Sequence, residues 1–188
     1  MRHDRDVLNA ADELSAGPVR LRRWRAADAD ALYRAVRESI EHLAPWMPWA
    51  AQGYSTSDAE TYIAGTDERW GTDHDYAIIA QVDTVVGGCS MMARIGPGGF
   101  EIGYWVHPGH TRRGYATGAA AALAEEAFRI GADRVEIVHD AANVASGAIP
   151  RRLGFTEVDR RPPQEELTAG EVGLDVVWRL RAPASPVV

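Results

Sequence analysis

The stretch that decides the fold reads Val106-His107-Pro108-Gly109-His110-Thr111-Arg112-Arg113-Gly114-Tyr115-Ala116-Thr117. The apolar run before it, residues 100–106, predicts a strand, and the Ala-rich run after it, 114–130, predicts a helix. A basic, Gly-containing loop that opens a helix offers free backbone N–H groups, the positive end of the helix and two guanidinium groups. The stretch therefore predicts a seat for a phosphate or pyrophosphate, and a solvated basic loop is the alternative.

The glycine spacing excludes the two common phosphate loops. Neither G-x-G-x-x-G nor G-x-x-x-x-G-K-[ST] occurs here. The backbone amides from Arg113 to Thr117, including those of Tyr115 and Ala116, are the expected contacts of the anion. Arg112 and Arg113 add charge, and Gly114 allows the close backbone approach that a Cβ would obstruct.

Three segments carry a resemblance to a known family. Thr111–Ala116 resembles the acetyl-CoA pyrophosphate loop of the GNAT acyltransferase superfamily, Q/R-x-x-G-x-G/A, although Thr111 replaces the usual first residue. Asn143-Val144-Ala145-Ser146 followed by Arg152-Leu153-Gly154-Phe155 resembles the N-x-x-S and L-G-F signature of the same superfamily. The Trp/Pro segment from His42 to Trp49 is similar to one found in its RimJ/RimL-like branch, which acetylates N-terminal amines of ribosomal proteins.

The predicted elements agree with the α/β architecture that this resemblance implies. We expect a single GNAT domain over 17–181, with a mixed, mostly antiparallel central sheet, flanking helices and two central strands that splay apart to admit the pantetheine arm. Residues 1–16 are predicted as a polar tail or short surface helix, and 182–188 as a mobile tail. Ser57 and Glu60 predict a capping box, Pro45 and Pro48 predict breaks, and Pro150 predicts a shortened or kinked helix.

The resemblance also implies roles in acyl transfer. The backbone of Trp105 and Val106 would run beside pantetheine. Glu101 is the candidate general base, because a carboxylate in an apolar strand is costly unless it is paired or useful; the alternative is a glutamate bonded to Tyr or Arg. Asn143 is a candidate cofactor ligand, and Ser146 a candidate proton donor, unless both only cap their helix. Pro150 stands where many members of the superfamily carry a tyrosine acid, so the proton donor is Ser146 or water.

Trp46 and Trp49 are the candidate walls of the acceptor pocket, with core packing as the alternative. The acceptor is expected to be an amine, from a peptide N-terminus, a lysine or a small molecule. The family's dimers make a homodimer compatible with the resemblance.

Composition narrows the remaining functions. The chain has 188 residues, 46% hydrophobic and 25% charged, which fits a globular protein with no membrane segment or signal peptide. Its net charge of −7 argues against nucleic acid as a general partner. The one cysteine, Cys89, excludes an internal disulfide and favours the cytoplasm. No ligand spacing supports a metal: His107 and His110 lie in a loop without further ligands.

Three functions remain open from the sequence. The leading one is an acetyl-CoA-dependent N-acetyltransferase. The second is an acyl-CoA-binding sensor or scaffold of the same fold, which the missing tyrosine and the replaced Thr111 keep open. The third is a nucleotide-phosphate-binding module, which has the loop but no magnesium ligand or base-binding signature.

Overall fold

The protein, described by a computed structural model over residues 9–80 and 83–184, is built on one eight-stranded sheet in the order β1-β2-β3-β4-β5-β6-β8-β7. The strands are β1 Glu13–Ala16, β2 Val19–Arg23, β3 Asp73–Ile79, β4 Val85–Met92, β5 Gly99–Val106, β6 Arg134–Asp140, β7 Thr156–Arg161 and β8 Asp175–Arg181. All neighbouring strands are antiparallel except β5 and β6. The predicted mixed, mostly antiparallel sheet is confirmed.

In the described part of the chain, five α-helices flank this sheet: α1 Ala29–Leu43, α2 Pro48–Ala51, α3 Thr56–Arg69, α4 Tyr115–Arg129 and α5 Val144–Arg152. One core lies beneath α4 and α5, where even-numbered β5 residues such as Ile102 meet the buried alanines of α4. A second core lies on the other face, where α1 and α3 pack against β3 and β4 through Leu32, Val36 and Ile63. The small residues of α4 bring the helix close to the sheet: a Cβ on Gly118 would lie 2.5 Å from Val19 Cγ2.

The two central strands separate along their length. Pairing between β5 and β6 covers only Gly99–Glu101 opposite Arg134–Glu136, although β5 continues to Val106 and β6 to Asp140. A gap therefore opens toward the carboxyl ends of both strands, as the resemblance implied. The two strands part after Glu101 and Glu136, and this closed end of the gap is called its fork.

Several local predictions were wrong in detail. Residues 13–16 are neither tail nor helix but the edge strand β1, held by pairing with β2, a long-range contact that local polarity does not reveal. Pro48 begins α2 instead of breaking the segment, since proline suits the first turn of a helix. The capping box at α3 is formed by Ser55 and Asp58, two residues before the predicted pair. Pro150 does not shorten α5, which continues through it to Arg152, and a kink there stays a prediction.

Both chain ends extend past the described residues. The predicted polar tail lies outside them over 1–8, and the predicted mobile tail lies outside them over 185–188. Within the described part, the last strand ends at Arg181, where the predicted domain also ends.

Candidate active site

The loop before α4 holds two residues in the left-handed region. Arg112 has φ 58° and Gly114, the N-cap of α4, has φ 83°. The left-handed N-cap Gly114, followed by the right-handed first turn of α4, turns successive N–H groups toward one surface, the geometry of an anion nest. The first helical bond of α4 runs from Gly118 N to Gly114 O at 2.8 Å, which leaves the preceding amides, 114–117, without intrahelical partners. The predicted anion contacts therefore converge on the start of α4.

Positive charge surrounds these amides. The side chains of Arg112 and Arg113 are exposed, and neither forms an ion pair within the described ranges, 9–80 and 83–184. A third guanidinium comes from α5, because Arg152 Nη1 donates to Thr117 Oγ1 at 3.2 Å. Arg152 directly precedes the Leu-Gly-Phe signature in the sequence, but only the packing of α5 beside α4 brings it to the loop.

The edge of β5 that faces the gap carries free backbone groups. His107 N donates to Val86 O at 2.8 Å, so odd-numbered residues of β5 bond to β4. The N–H and C=O groups of Tyr104 and Val106 consequently point toward β6, but the pairing of β5 with β6 ends at Glu101 and Glu136, so no β6 residue pairs with them. Of the two residues predicted to line the pantetheine arm, Val106 has its backbone on the gap side.

The side chain of Trp105 lies on the face of the sheet that α1 and α3 cover, opposite to α4 and α5. Its indole lies over Gly88, where a Cβ would come 2.8 Å from Trp105 Nε1. It also meets Trp49 of α2 edge to face, with 6.3 Å between ring centroids. A residue predicted for the cofactor and one predicted for the acceptor thus touch each other.

The start of α5 lies across the gap from β5. Asn143 caps the helix, with its Oδ1 accepting from Ser146 N at 3.1 Å. The first turn approaches β6 closely, because a Cβ on Gly147 would lie 2.6 Å from His139 Nε2. That imidazole is held by Trp178 Nε1, which donates to Nε2 at 3.0 Å, and by its Nδ1 contact with Asp140 O at 2.7 Å.

Tyr104 reaches Ser146 from β5. Its hydroxyl oxygen is 3.3 Å from both the carbonyl oxygen and Oγ of Ser146. Pro150, four residues after Ser146, has no N–H to donate to that carbonyl, so the phenol takes a place that the helix cannot fill. Burial raises the pKa of Tyr104 to about 12, against a smaller opposing effect of its bond to Ser146.

Glu101 lies at the fork of the gap, 9% exposed, and accepts a hydrogen bond from Arg94 Nη2. Its neighbour across the parallel pair, Glu136, is bonded to Arg179 Nη2 at 2.5 Å and Nε at 2.8 Å. Both carboxylates project from the face that carries Trp105, because directly paired residues share a face. The alternative to a general base was a glutamate bonded to a tyrosine or an arginine, and the bond from Arg94 agrees with that alternative. This bond alone neither assigns a catalytic role to Glu101 nor removes one.

The Trp/Pro segment lies on the same face. Trp49 is 43% exposed and also contacts Tyr54, with 5.7 Å between ring centroids, so it is not a core residue. Trp46 is half-buried at the turn that follows α1, where its N–H donates to Leu43 O at 2.9 Å.

The structure therefore gathers the predicted residues around one gap. Gly114–Thr117 lie at its mouth, Ser146 and Asn143 on one side, Glu101 at its fork, and Trp49 on the face that carries Trp105. Sequence reasoning missed Tyr104 and Arg152. Two features of the sequence could have predicted the role of Tyr104. Side chains alternate along a strand, so Tyr104 shares the buried face of Ile102 and Val106. Pro150 has no N–H, so it leaves a carbonyl of α5 free to accept a hydrogen bond.

Within 9–80 and 83–184, no group of three or more His, Cys, Asp or Glu side chains is arranged to hold a metal ion. His107 instead contacts Glu38, Nε2 to Oε2 at 3.1 Å. No helix in the described part of the chain is long and apolar enough to cross a membrane.

Comparison with solved structures finds the same fold. RimL, a ribosomal L7/L12 alpha-N-protein acetyltransferase in complex with coenzyme A, is 23% identical over 91% of this chain and 98% of its own, with a TM-score of 0.82. RimJ of Mycobacterium smegmatis, in complex with a CoA disulfide, is 23% identical over 97% of this chain and 91% of its own, with a TM-score of 0.80.

MccE, a microcin C7 self-immunity acetyltransferase in complex with acetyl-CoA and AMP, is 21% identical over 88% of this chain and 93% of its own, with a TM-score of 0.79. No curated protein sequence matches the chain. At these identities the solved structures establish the fold.

The family itself follows from the sequence profile together with this fold. The acetyltransferase (GNAT) domain matches residues 19–156, which include the anion loop, the splayed strands and the whole of α5. The chain belongs to the GNAT acetyltransferase family.

Proposed function

We propose that this protein is an N-acetyltransferase that moves the acetyl group of acetyl-CoA directly to a primary amine while both substrates are bound. Acetyl-CoA would supply the acetyl group as an activated thioester. The amides of 113–117, with Arg112, Arg113 and Arg152, would hold its phosphates, and the free β5 edge at Val106 and Tyr104 would bond the amides of its pantetheine arm.

The observation that carries this proposal is the alignment of the anion nest with the open edge of β5. Left-handed Arg112 and Gly114 turn amides toward the mouth of the gap, and the unpaired groups of Val106 continue from that mouth toward Glu101. A ligand with an anionic end and an extended amide-bearing arm fits this path. RimL, RimJ and MccE, which share the fold, were solved with CoA species.

The acceptor amine would approach from the face that carries Glu101, Trp105 and Trp49. An amine attacks only when it is neutral, so a proton must leave it, and Glu101 is our candidate to receive that proton. Arg94 holds this carboxylate beside the fork. The indole faces of Trp46 and Trp49 would receive the amine before it loses its proton, since aromatic faces attract cations.

The departing thiolate needs a proton from the opposite side of the gap. Ser146 Oγ is our candidate donor, with the Tyr104 hydroxyl, 3.3 Å away, as its hydrogen-bond partner. Asn143 supports this arrangement by fixing the first turn of α5. Water is the alternative donor.

We propose a peptide N-terminus as the first acceptor to test, with lysine and small amines next. RimL is a protein N-terminal acetyltransferase, which favours the first, and MccE, solved with AMP, keeps the small-molecule class open.

A cytoplasmic location is part of the proposal, because the single cysteine, Cys89, is a buried free thiol. The proposal holds for a monomer and for a homodimer.

Two measurements test the proposal. Calorimetry with acetyl-CoA, ATP and NAD should show binding of acetyl-CoA alone, whereas preference for ATP or NAD would favour the nucleotide-binding alternative. Thiol release from acetyl-CoA, followed with a panel of peptides and small amines, should show acceptor-dependent turnover. Tight acetyl-CoA binding without turnover on any amine would favour the sensor alternative.

A further inference from the structure

A buried carboxylate at the end of β6 is bonded entirely to backbone groups. Asp140 is 5% exposed, and its oxygens accept from Ala142 N at 2.8 Å, Val172 N at 3.1 Å, Gly173 N at 2.9 Å and Leu174 N at 3.1 Å. Hydrogen bonds to a charged acceptor are stronger than neutral ones, especially away from water. Four such bonds on one side chain fix the backbone segments that donate them.

These donors belong to two segments that are distant in sequence. Ala142 leads into the cap of α5, and Asn143 N itself donates to Asp140 O at 2.9 Å. Residues 172–174 end the long connection between β7 and β8, and this end is held again by Ala141 N, which donates to Leu174 O at 2.8 Å. Asp140 therefore joins the helix that carries Ser146 to the 162–174 connection.

The 162–174 connection is in turn bonded to the Trp/Pro segment. Thr168 Oγ1 donates to Pro45 O at 2.5 Å, and Gly170 N donates to the same oxygen at 3.0 Å. A Cβ on Gly170 would lie 2.7 Å from Pro45 O, so the two backbones touch with no room for a side chain. Pro45 is the residue before Trp46 and lies just ahead of α2, which carries Trp49.

We propose that Asp140 is a positioning residue that sets the acceptor wall: through residues 172–174 and 168–170 it holds Pro45, and hence Trp46 and Trp49, in a fixed position relative to the start of α5. The two ends of this chain of contacts are the proton-donor side and the acceptor side of the gap. The structural part stands on the contacts alone; that the wall receives an acceptor rests on the proposed function.

Asparagine is the informative replacement at Asp140. It keeps the size of the side chain but has one acceptor oxygen, and its NH₂ group would face N–H donors. Gly170→Ala is an independent probe, because it presses on Pro45 O and leaves every bond to Asp140 in place. Glu126→Gln is the matched control: Glu126 is likewise a buried carboxylate with a backbone donor, Ala11 N at 2.6 Å, but it lies near the end of α4, away from the gap.

Hydrogen–deuterium exchange of the free protein tests the coupling without any ligand. Asp140→Asn should speed exchange at residues 172–174 by about tenfold or more, because bonds to a charged group are lost there. The same variant should also speed exchange at 46–51, while α3 keeps wild-type rates. Gly170→Ala should reproduce the change at 46–51 but not at 172–174, and Glu126→Gln should change neither segment. Faster exchange confined to 172–174, or spread evenly over the molecule, would overturn the coupling.

Kinetics then test the consequence. With the best acceptor of the amine panel, Asp140→Asn and Gly170→Ala should each raise the acceptor KM several-fold and leave the acetyl-CoA Kd within twofold of wild type, because neither variant touches the anion loop. Equal loss of acetyl-CoA affinity would overturn the assignment to the acceptor wall. If the wild-type protein acetylates no amine, the proposed function fails while the exchange results still decide the coupling.

Discussion

The hydroxyl oxygens of Tyr104 on β5 and Ser146 on α5 lie 3.3 Å apart. Tyr104 also donates to the Ser146 carbonyl, which Pro150 leaves without a helical partner. The carbonyl that this proline leaves free in α5 thus receives a phenol from β5.

The first prediction concerns this hydroxyl pair. Ser146→Ala should lower kcat by roughly 10²-fold if Ser146 gives the proton to the thiolate. Tyr104→Phe should lower it only about fivefold, the worth of one hydrogen bond. The double variant should lose no more than Ser146→Ala alone, because the phenol would act through the serine. A larger loss for Tyr104→Phe than for Ser146→Ala, in steady-state kinetics, would transfer the donor role to the phenol.

The second prediction concerns the anion loop. Arg112→Glu and Gly114→Trp should each weaken acetyl-CoA binding by about tenfold or more, the first through charge and the second by obstructing the backbone at a left-handed position. Arg181→Glu is the control for charge, since Arg181 is exposed at the opposite end of the sheet, beside Arg134. Unchanged calorimetric affinity in both folded loop variants would show that the anion binds elsewhere.

The third prediction concerns Glu101 as general base. Glu101→Gln should lower kcat by ~10²–10⁴-fold and change acetyl-CoA affinity little, because a base acts in the chemical step. Glu136→Gln is the matched control: it stands opposite Glu101 on the same face and is likewise paired with an arginine. If the two variants lose equal activity, Glu101 only supports the sheet.

The fourth prediction concerns the acceptor wall. Trp49→Ala should raise the acceptor KM with a small change in Tm, because the side chain is 43% exposed. Trp24→Ala provides the comparison, since Trp24 is 4% exposed and its truncation should cost about 3–5 kcal/mol of stability. Thermal melting and acceptor kinetics on both variants separate pocket from core. A melting loss as large as that of Trp24→Ala, with unchanged kinetics, would return Trp49 to a packing role.

The fifth prediction concerns pH and Asp140. Burial alone would raise the pKa of Asp140, but the backbone bonds from Ala142, Val172, Leu174 and Gly173 outweigh it and hold the pKa below its usual range. The unfolded carboxyl titrates near ~3.9. The stabilisation by these bonds is therefore fully present above that pH and is lost as the pH falls through the lower pKa of the folded state.

Denaturant unfolding of wild type and Asp140→Asn measures this effect. The free energy of unfolding should differ by about 1–3 kcal/mol at pH 7. The difference should shrink as the pH falls below ~3.9. A difference that stays constant as the pH falls below ~3.9 would show that Asp140 binds protons alike in the folded and unfolded states, and so that these bonds do not lower its pKa.

The sequence determined the class of fold because its strongest signals are local. The apolar run of 100–106 marks β5, and the alanine spacing of 114–130 marks α4, since each element must bury one face. The anion seat was equally local: Gly114 permits a left-handed cap, and the amides of a helix start are adjacent in the chain. The order of the loop, the Asn/Ser pair and Leu-Gly-Phe identified the family.

Tertiary structure decided everything that depends on pairing between distant segments. Residues 13–16 are a strand only because β2 lies beside them, and Ser55 with Asp58, instead of Ser57 with Glu60, caps α3 in the folded chain. The sequence did not identify the hydrogen-bond partner of Glu101, because either a tyrosine or an arginine can donate to a carboxylate in a strand. In the folded chain the donor is Arg94.

The contacts of the candidate site also depend on pairing between segments that are distant in the sequence. Tyr104 meets Ser146 across 42 positions, and Thr168 meets Pro45 across 123. Residue types and short spacings set which groups are available, because propensity and capping act within a few residues. Which of those groups face each other depends on the order of the strands in the sheet and on where β5 and β6 separate. Both features are set by the packing free energy of the whole core.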